Sequence, residues 1–157
     1  MPDFLCQTVK TAGDWTVALG RCELNYDDRF FRRKIVTTTD NQSILVDFPQ
    51  VISLNNGDAL VTSDGQCIAV HAAPEDLFAV TGPNLAQLAW HIGNRHTPCQ
   101  IDGDRLLILC DDVIGHMLGH LGATVTKVVE PFTPEGGAYG HGRTHSHEHG
   151  HSAHHDH

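Results

Sequence analysis

The residues best suited to chemistry in this sequence of 157 residues are histidines, and His96 stands in a distinctive local pattern, Gly93-Asn94-Arg95-His96-Thr97-Pro98. Gly93 is expected to supply the left-handed residue that ends a helix. Pro98 forces the residue before it into an extended backbone. The pattern therefore predicts His96 on a short, rigid connection between a helix and a strand. A neutral imidazole held in this way suits a borderline transition metal, although a capping or surface histidine could have the same local sequence.

A second group of histidines fills the C-terminus, where eight of the 13 histidines lie between His141 and His157. Glycine, serine and alanine fill most of the gaps, so residues 134–157 are predicted to form a tail that is disordered without metal. The interruptions argue against an expression tag, which is usually an unbroken run. The tail residues that we take as candidate metal ligands are His145, His147, His149, His151, His154, His155 and His157.

Two further places could bind a metal. Cys110 and Asp112 flank Asp111 where a strand is predicted to meet a helix, and the competing interpretation is a helix cap beside a buried thiol. His116 and His120 are four residues apart, so they share a helix face and could chelate an ion; they could also be two solvated histidines. Their motif lacks the glutamate of HExxH, which argues against a zinc protease.

Composition excludes several classes of protein. The formal charge of −9 argues against nucleic acid as the main partner. No N-terminal apolar run has the length of a signal or membrane segment, so we expect a cytoplasmic protein without a membrane partner. Five scattered cysteines form no CxxC pair, which favours reduced thiols. No phosphate-binding loop and no nucleophile–base arrangement stand out, so an enzyme is not expected.

Residues 1–72 are predicted to be a β-rich domain, because short β-branched segments alternate with turn signals, as in a small barrel or sandwich. Hairpins are expected around residues 40–42 and 63–65. Residues 72–75 form the predicted linker. Four basic residues lie within Arg29–Lys34, and they favour either a solvated strand edge or a docking patch for an acidic partner.

Residues 75–133 follow a different pattern, in which strands alternate with two amphipathic segments. Leu85, Leu88 and Ile92 fall on one helix face, and Gly122 is expected to end the second helix. The predicted order is βαββαβ, the ferredoxin-like arrangement. The fold class is therefore α+β, with a small all-β N-terminal domain, a ferredoxin-like C-terminal domain and a His-rich tail.

The segment from Gly93 to Ile101 resembles the GNRHxPxQ segment of the UreE urease accessory protein family of nickel metallochaperones. Asn56-Gly57-Asp58, then Gly136-Gly137-Ala138-Tyr139, then the His-rich end match that family in the same order. The resemblance implies a protein- or peptide-binding first domain, and a homodimer in which two copies of His96 share Ni(II). It also implies delivery of nickel to an apo-urease complex with a GTPase among the accessory partners. Many family members carry a histidine pair near the positions of Cys110 and Asp112, so this departure puts a second folded-domain site in doubt.

Two other functions remain open at this point. One is a nickel or zinc buffer or storage protein in which the tail is the functional part. The other is a protein-binding chaperone module whose metal is incidental. The sequence does not choose nickel over zinc or copper, and Zn(II) or Cu(II) is expected to substitute in vitro, since copper binds most tightly at almost any such site.

Overall fold

The structure is a computed structural model that describes residues 1–136, and these residues form a mixed α+β fold dominated by strands. The chain divides into two compact units, Met1–Pro74 and Glu75–His157. No helix within residues 1–136 is long and apolar enough to cross a membrane.

The first unit is built on a single sheet of six strands with the spatial order β2-β6-β5-β1-β4-β3. The strands are β1 (Phe4–Lys10), β2 (Gly20–Leu24), β3 (Phe30–Thr37), β4 (Ser43–Ser53), β5 (Ala59–Thr62) and β6 (Cys67–Ala72), and a 3-10 turn (Asp27–Arg29) precedes β3. The two predicted hairpins are confirmed, since β3 pairs with β4 and β5 with β6 in antiparallel fashion. Asn41 has a positive φ of 63° in the first of them.

The core of this unit follows the two-residue period of its strands. Ile44, Val46 and Phe48 of β4 are almost fully buried, whereas the residues between them are partly exposed. The N–H of Thr39, just after β3, donates to the carbonyl of Arg21 in β2 at 2.9 Å. Because β2 and β3 are the two edge strands, the sheet must curl until its edges approach each other.

The second unit carries a four-stranded sheet with the order β10-β7-β9-β8. Its elements are β7 (Pro74–Thr81), α1 (Leu85–Asn94), β8 (Gln100–Asp102), β9 (Arg105–Leu109), α2 (Asp112–His120) and β10 (Thr124–Pro131). The element order βαββαβ agrees with the prediction. The predicted linker is much shorter than expected, because β6 ends at Ala72 and β7 begins at Pro74.

Both helices begin at side-chain caps and bury one face. The Asn84 side chain accepts a hydrogen bond from the Gln87 N–H at 3.1 Å and caps α1. The Asp111 carboxylate accepts from Val113 N–H at 2.9 Å and from Ile114 N–H at 3.1 Å, so Asp111 is the cap of α2. The core of the unit contains Val80, Leu88, Ile92, Leu106, Ile108, Ile114 and Leu118.

Candidate metal centre

The site is best understood from the ends of the two helices, which use the same backbone arrangement. At the end of α2, Gly122 has a φ of 89°. Its N–H donates to the carbonyl of Gly119 at 3.1 Å, and the N–H of Ala123 donates to the carbonyl of Leu118 at 3.0 Å. This pair of bonds defines a Schellman motif with glycine in the left-handed position. Gly122 thus ends α2, as the sequence predicted.

At the end of α1 the left-handed position is held by His96. Its φ is 57°, its N–H donates to the carbonyl of Gly93 at 2.9 Å, and the N–H of Thr97 donates to the carbonyl of Ile92 at 3.3 Å. The two bonds repeat those at the end of α2 with histidine in place of glycine. The prediction that Gly93 takes the left-handed conformation was wrong, because α1 continues through Gly93 to Asn94.

The physical reason for this difference lies in the last turn of α1. Ile92 is fully buried, and its carbonyl accepts hydrogen bonds from Arg95 and Thr97, so ending the helix at Gly93 would forfeit those bonds. The chain therefore reverses three residues later. A left-handed conformation costs a residue with a Cβ about 1–2 kcal/mol, and histidine is one of the few residue types enriched there. This left-handed conformation places the exposed imidazole of His96 at the tip of a hydrogen-bonded turn.

A contact with the second helix supports the turn from one side. Arg95 Nε lies 2.8 Å from Met117 Sδ in α2, and Met117 itself is half-buried. Because Arg95 immediately precedes His96, this contact restrains the turn against α2. Sequence reasoning missed the contact, since neither residue carries a motif that indicates its partner.

The chain just after the turn is contacted by a segment that we call the strap, residues 131–136. The N–H of Thr133 donates to Gln100 Oε1 at 2.9 Å, and the N–H of Glu135 donates to the Cys99 carbonyl at 2.9 Å. Phe132 between β10 and these bonds is fully buried. The strap therefore brings the first residues of the predicted tail to Cys99, three residues after His96.

An ion-pair cluster fixes the point at which the strap leaves β10. Arg105 binds Glu130 through two hydrogen bonds, of 3.0 Å and 2.7 Å, and its Nε binds Asp102 at 2.8 Å. The Arg105 guanidinium holds the pKa of the Glu130 carboxyl below its usual range. Glu130 is the residue before Pro131, so the cluster anchors the start of the strap.

Cys110 and Asp112 are both exposed at the start of α2. The expectation of a buried thiol at Cys110 was wrong, since the side chain follows the last buried residues of β9 and faces solvent. Its pKa is raised, first by partial desolvation, with Lys127 acting in the opposite direction and Asp76 and Asp112 adding to the rise. A thiol that resists ionisation is a poorer metal ligand than one whose pKa is lowered.

Three other thiols are protected by burial. Desolvation raises the pKa of Cys6 to about 11, that of Cys22 to about 12 and that of Cys99 to about 11. All five cysteines are free thiols. These three thiols therefore stay protonated at neutral pH.

The basic cluster of the first unit is largely neutralised. Arg29 is 2% exposed, Arg32 Nη1 lies 3.5 Å from the carboxylate of Asp47, and Lys34 Nζ lies 3.2 Å from that of Asp28. This arrangement favours the interpretation as a paired strand surface over that of a free docking patch.

The donor groups within residues 1–136 do not gather into a ready-made centre. No group of three or more His, Cys, Asp or Glu side chains in that range is arranged to hold a metal ion. Within residues 1–136, neither His96 nor the pair of Cys110 and Asp112 belongs to such a group. The tail candidates lie outside the described residues, namely His145, His147, His149, His151, His154, His155 and His157.

Comparison with known proteins agrees with this two-part construction. Residues 6–73 match the N-terminal domain of the UreE urease accessory protein, and residues 75–157 match its C-terminal domain. These matches identify the chain as an accessory protein rather than an enzyme. The chain belongs to the UreE urease accessory protein family.

Similar relatives include three proteins named urease accessory protein UreE. The one from Ruegeria pomeroyi is 57% identical over 144 residues, which cover 92% of this chain and 97% of the relative. The one from Cereibacter sphaeroides is 53% identical over 139 residues, covering 88% and 76%. The one from Rhodobacter capsulatus is 49% identical over 142 residues, covering 90% of each.

Proposed function

We propose that this protein is a cytoplasmic nickel metallochaperone that delivers Ni(II) to apo-urease during assembly of the urease metal centre. The observation that carries the proposal is the left-handed backbone of His96. A histidine in a position that favours glycine costs stability, and the fixed backbone gives its imidazole a defined direction. Ligand binding would make use of this defined direction, and the family's place in urease maturation supports nickel as the ligand that we propose.

One imidazole is too few ligands for useful affinity, so the site is proposed to form between two copies of the chain. A two-fold symmetric dimer would bring His96 of each protomer to one shared ion. The absence of a three-residue donor cluster within residues 1–136 of a single chain supports this arrangement. The strap supports a second source of ligands, because it leads the chain toward the turn just before the His-rich tail.

Delivery requires partners, and we propose that they are apo-urease and other urease accessory proteins, including a GTPase that supplies the hydrolysis step. The β-rich first domain is the candidate surface for them. It has an open hollow of about 400 Å³ whose lining includes Trp15, Arg21, Asp40 and His71. This mixture of aromatic, cationic, acidic and imidazole groups suits an extended peptide with both apolar and charged side chains.

The decisive experiment is a nickel titration of the wild type and of His96→Ala, with the number of ions per dimer and the oligomer mass measured together. We expect the variant to remain dimeric, to lose the tightest binding event and to keep weaker binding by the tail. Because the tightest binding event is lost, the variant should also transfer less nickel to apo-urease when the partner proteins are present.

The same experiment separates the rival functions. A buffer or storage protein would lose little capacity in His96→Ala, and urease activation would be unchanged. A chaperone module with incidental metal would capture its client equally well with and without nickel. Either result in an intact dimer would overturn delivery through His96. Zn(II) and Cu(II) titrations belong beside the nickel titration, because imidazole ligands alone do not exclude them.

A further inference from the structure

We propose that His116 and His120 form a second binding site for a borderline divalent transition metal, separate from His96. Both residues lie in α2, four positions apart, and both are exposed. Their imidazole rings are in edge-to-face contact, with centroids 4.7 Å apart and planes at 75°. This site goes beyond nickel delivery through His96 and does not depend on it.

The separation of the rings is the separation that chelation requires. A metal–nitrogen bond of about 2.0–2.1 Å puts each ring centroid about 3.2 Å from the ion. Two such ligands at bond angles of about 90–110° then have centroids about 4.5–5.2 Å apart. The observed 4.7 Å falls inside this interval. Binding therefore needs rotation about the terminal side-chain torsions, which are soft for histidine, and no movement of the helix backbone.

The surroundings favour a cation at this place. His120 is the last residue of α2, and the C-terminal end of a helix carries partial negative charge. Asp112 lies one turn before His116 on the same side of the helix and adds a carboxylate charge. The buried face of α2 is formed by Ile114 and Leu118, so the histidines are not needed for packing. Two imidazoles leave the remaining positions of the ion to water.

The pair is also connected to the proposed His96 site through a side-chain contact. Met117, which contacts Arg95 of the His96 turn, lies between His116 and His120 in α2. The helix that carries the pair thus supports the turn that carries His96. An ion held by the pair would lie on an element in direct contact with the proposed delivery site.

The test uses the full-length, ¹⁵N-labelled protein and NiCl₂, and it follows paramagnetic broadening of backbone amide signals by NMR. Excess nickel saturates the tail equally in every variant, since the tail is unchanged. We expect the amides of residues 116–121 to lose most of their intensity in the wild type. His116→Ala and His120→Ala should each retain these signals and bind about one nickel fewer per chain by equilibrium dialysis.

Two variants serve as controls. His91→Ala removes a half-buried histidine from the last turn of α1 and should leave the broadening of α2 unchanged. His96→Ala should also keep it, which separates this site from the proposed delivery site. Unchanged positions of the remaining amide signals report that each variant is folded.

Three outcomes would overturn the proposal. Wild-type signals from residues 116–121 that persist at saturating nickel would show that the pair binds no ion. Equal broadening in His120→Ala would assign the effect to an ion bound elsewhere. Loss of the broadening in His96→Ala would show that the pair has no independent site, whatever the result for nickel delivery.

Discussion

At the scale of single residues, stability and metal binding are expected to oppose each other at His96. Replacing His96 with glycine removes the Cβ that makes a φ of 57° costly. The free energy of unfolding should therefore rise by about 1 kcal/mol, while the tightest nickel-binding event is lost with the imidazole. Urea unfolding of the metal-free protein and a nickel titration of the same sample measure both effects.

The end of α2 provides the matched control. Gly122 occupies the equivalent position with a φ of 89°, so Gly122→Ala should lower the free energy of unfolding by about 1 kcal/mol. His96→Ala should lose nickel without the gain in stability. A His96→Gly variant that is less stable than the wild type would refute the argument from backbone strain.

Three thiols with raised pKa values predict a loss of stability in alkali. Cys6, Cys22 and Cys99 have a pKa of about 11 to 12 in the folded chain, above that of an unfolded thiol. Because the pKa of each thiol is higher in the folded chain than in the unfolded one, its contribution to the free energy of unfolding is complete below about pH 8.5. That contribution is lost as the pH rises toward the folded pKa values. Each thiol should remove up to about 1.4 kcal/mol per pH unit in that window.

The measurement is urea unfolding with a reductant present between pH 7.5 and 10. Cys22→Ala lowers stability at every pH through the cavity that it leaves. Its distinguishing effect is a smaller decrease in the free energy of unfolding per pH unit above about pH 8.5, because one of the three thiols is gone. An unchanged slope would show that the loss at high pH arises from other groups.

At the scale of elements, α2 packs closely on the sheet through a glycine. A Cβ placed on Gly115 would lie 3.0 Å from Cε2 of the Phe78 ring in β7, whereas a Cβ on Gly119 meets no heavy atom within 4 Å. Gly115→Ala should therefore destabilise the protein by about 1–3 kcal/mol, although alanine is the better helix former. Gly119→Ala should stabilise it by about 0.5–1 kcal/mol.

Thermal and urea unfolding of the two variants make the comparison within one helix. Equal effects of the two substitutions would mean that helix propensity, and not packing against Phe78, decides stability at both positions. Gly93→Ala gives a third point, because Gly93 is also helical and its Cβ would meet nothing within 4 Å. It should behave like Gly119→Ala.

The elements that the sequence predicted are those with a clear period or turn signal. The hairpins of the first unit and the βαββαβ order of the second follow from strand alternation, from the turn signals and from the apolar stripe that includes Leu88. β1 was not identified, because Cys6 is the one fully buried residue among its seven and its apolar residues do not alternate with polar ones. The curl of the first sheet depends on backbone bonds between distant residues, which no local pattern reveals.

The candidate site was predicted in part for a similar reason. Local chemistry identified His96, but it assigned the left-handed conformation to Gly93, since intrinsic preference alone favours glycine. Burial of Ile92, three residues after Ala89 on the same stripe, decided the outcome and is a tertiary effect. The strap escaped prediction because Gln100 and Thr133 are 33 residues apart in the chain.

At the scale of the whole molecule, each unit has its own core. Buried residues of the first unit form one apolar cluster and those of the second another. His71 is the one histidine before Pro74, so a fragment from Pro74 to the C-terminus keeps twelve of the 13 histidines. We expect this fragment to bind as much nickel as the full-length chain, measured by equilibrium dialysis.

His71→Ala in the full-length protein is the matching control, and its nickel binding should equal that of the wild type. If the fragment remains folded by circular dichroism but binds less nickel, the first unit contributes ligands beyond those identified. If the fragment instead keeps its nickel binding but no longer supports urease activation, the result would agree with the proposed role of the first unit in binding partners.

The hydrogen bond from the Glu135 N–H to the Cys99 carbonyl also holds the start of the tail close to the His96 turn. A chain extends by at most about 3.5 Å per residue, so every tail imidazole stays within a fixed radius of the His96 turn however dilute the protein. Its effective concentration there is on the order of millimolar. The His96 of a second protomer has no such tether. On dilution, the proposed contribution of the tail to nickel binding should therefore stay constant, whereas that of the second protomer should fall as the proposed dimer separates.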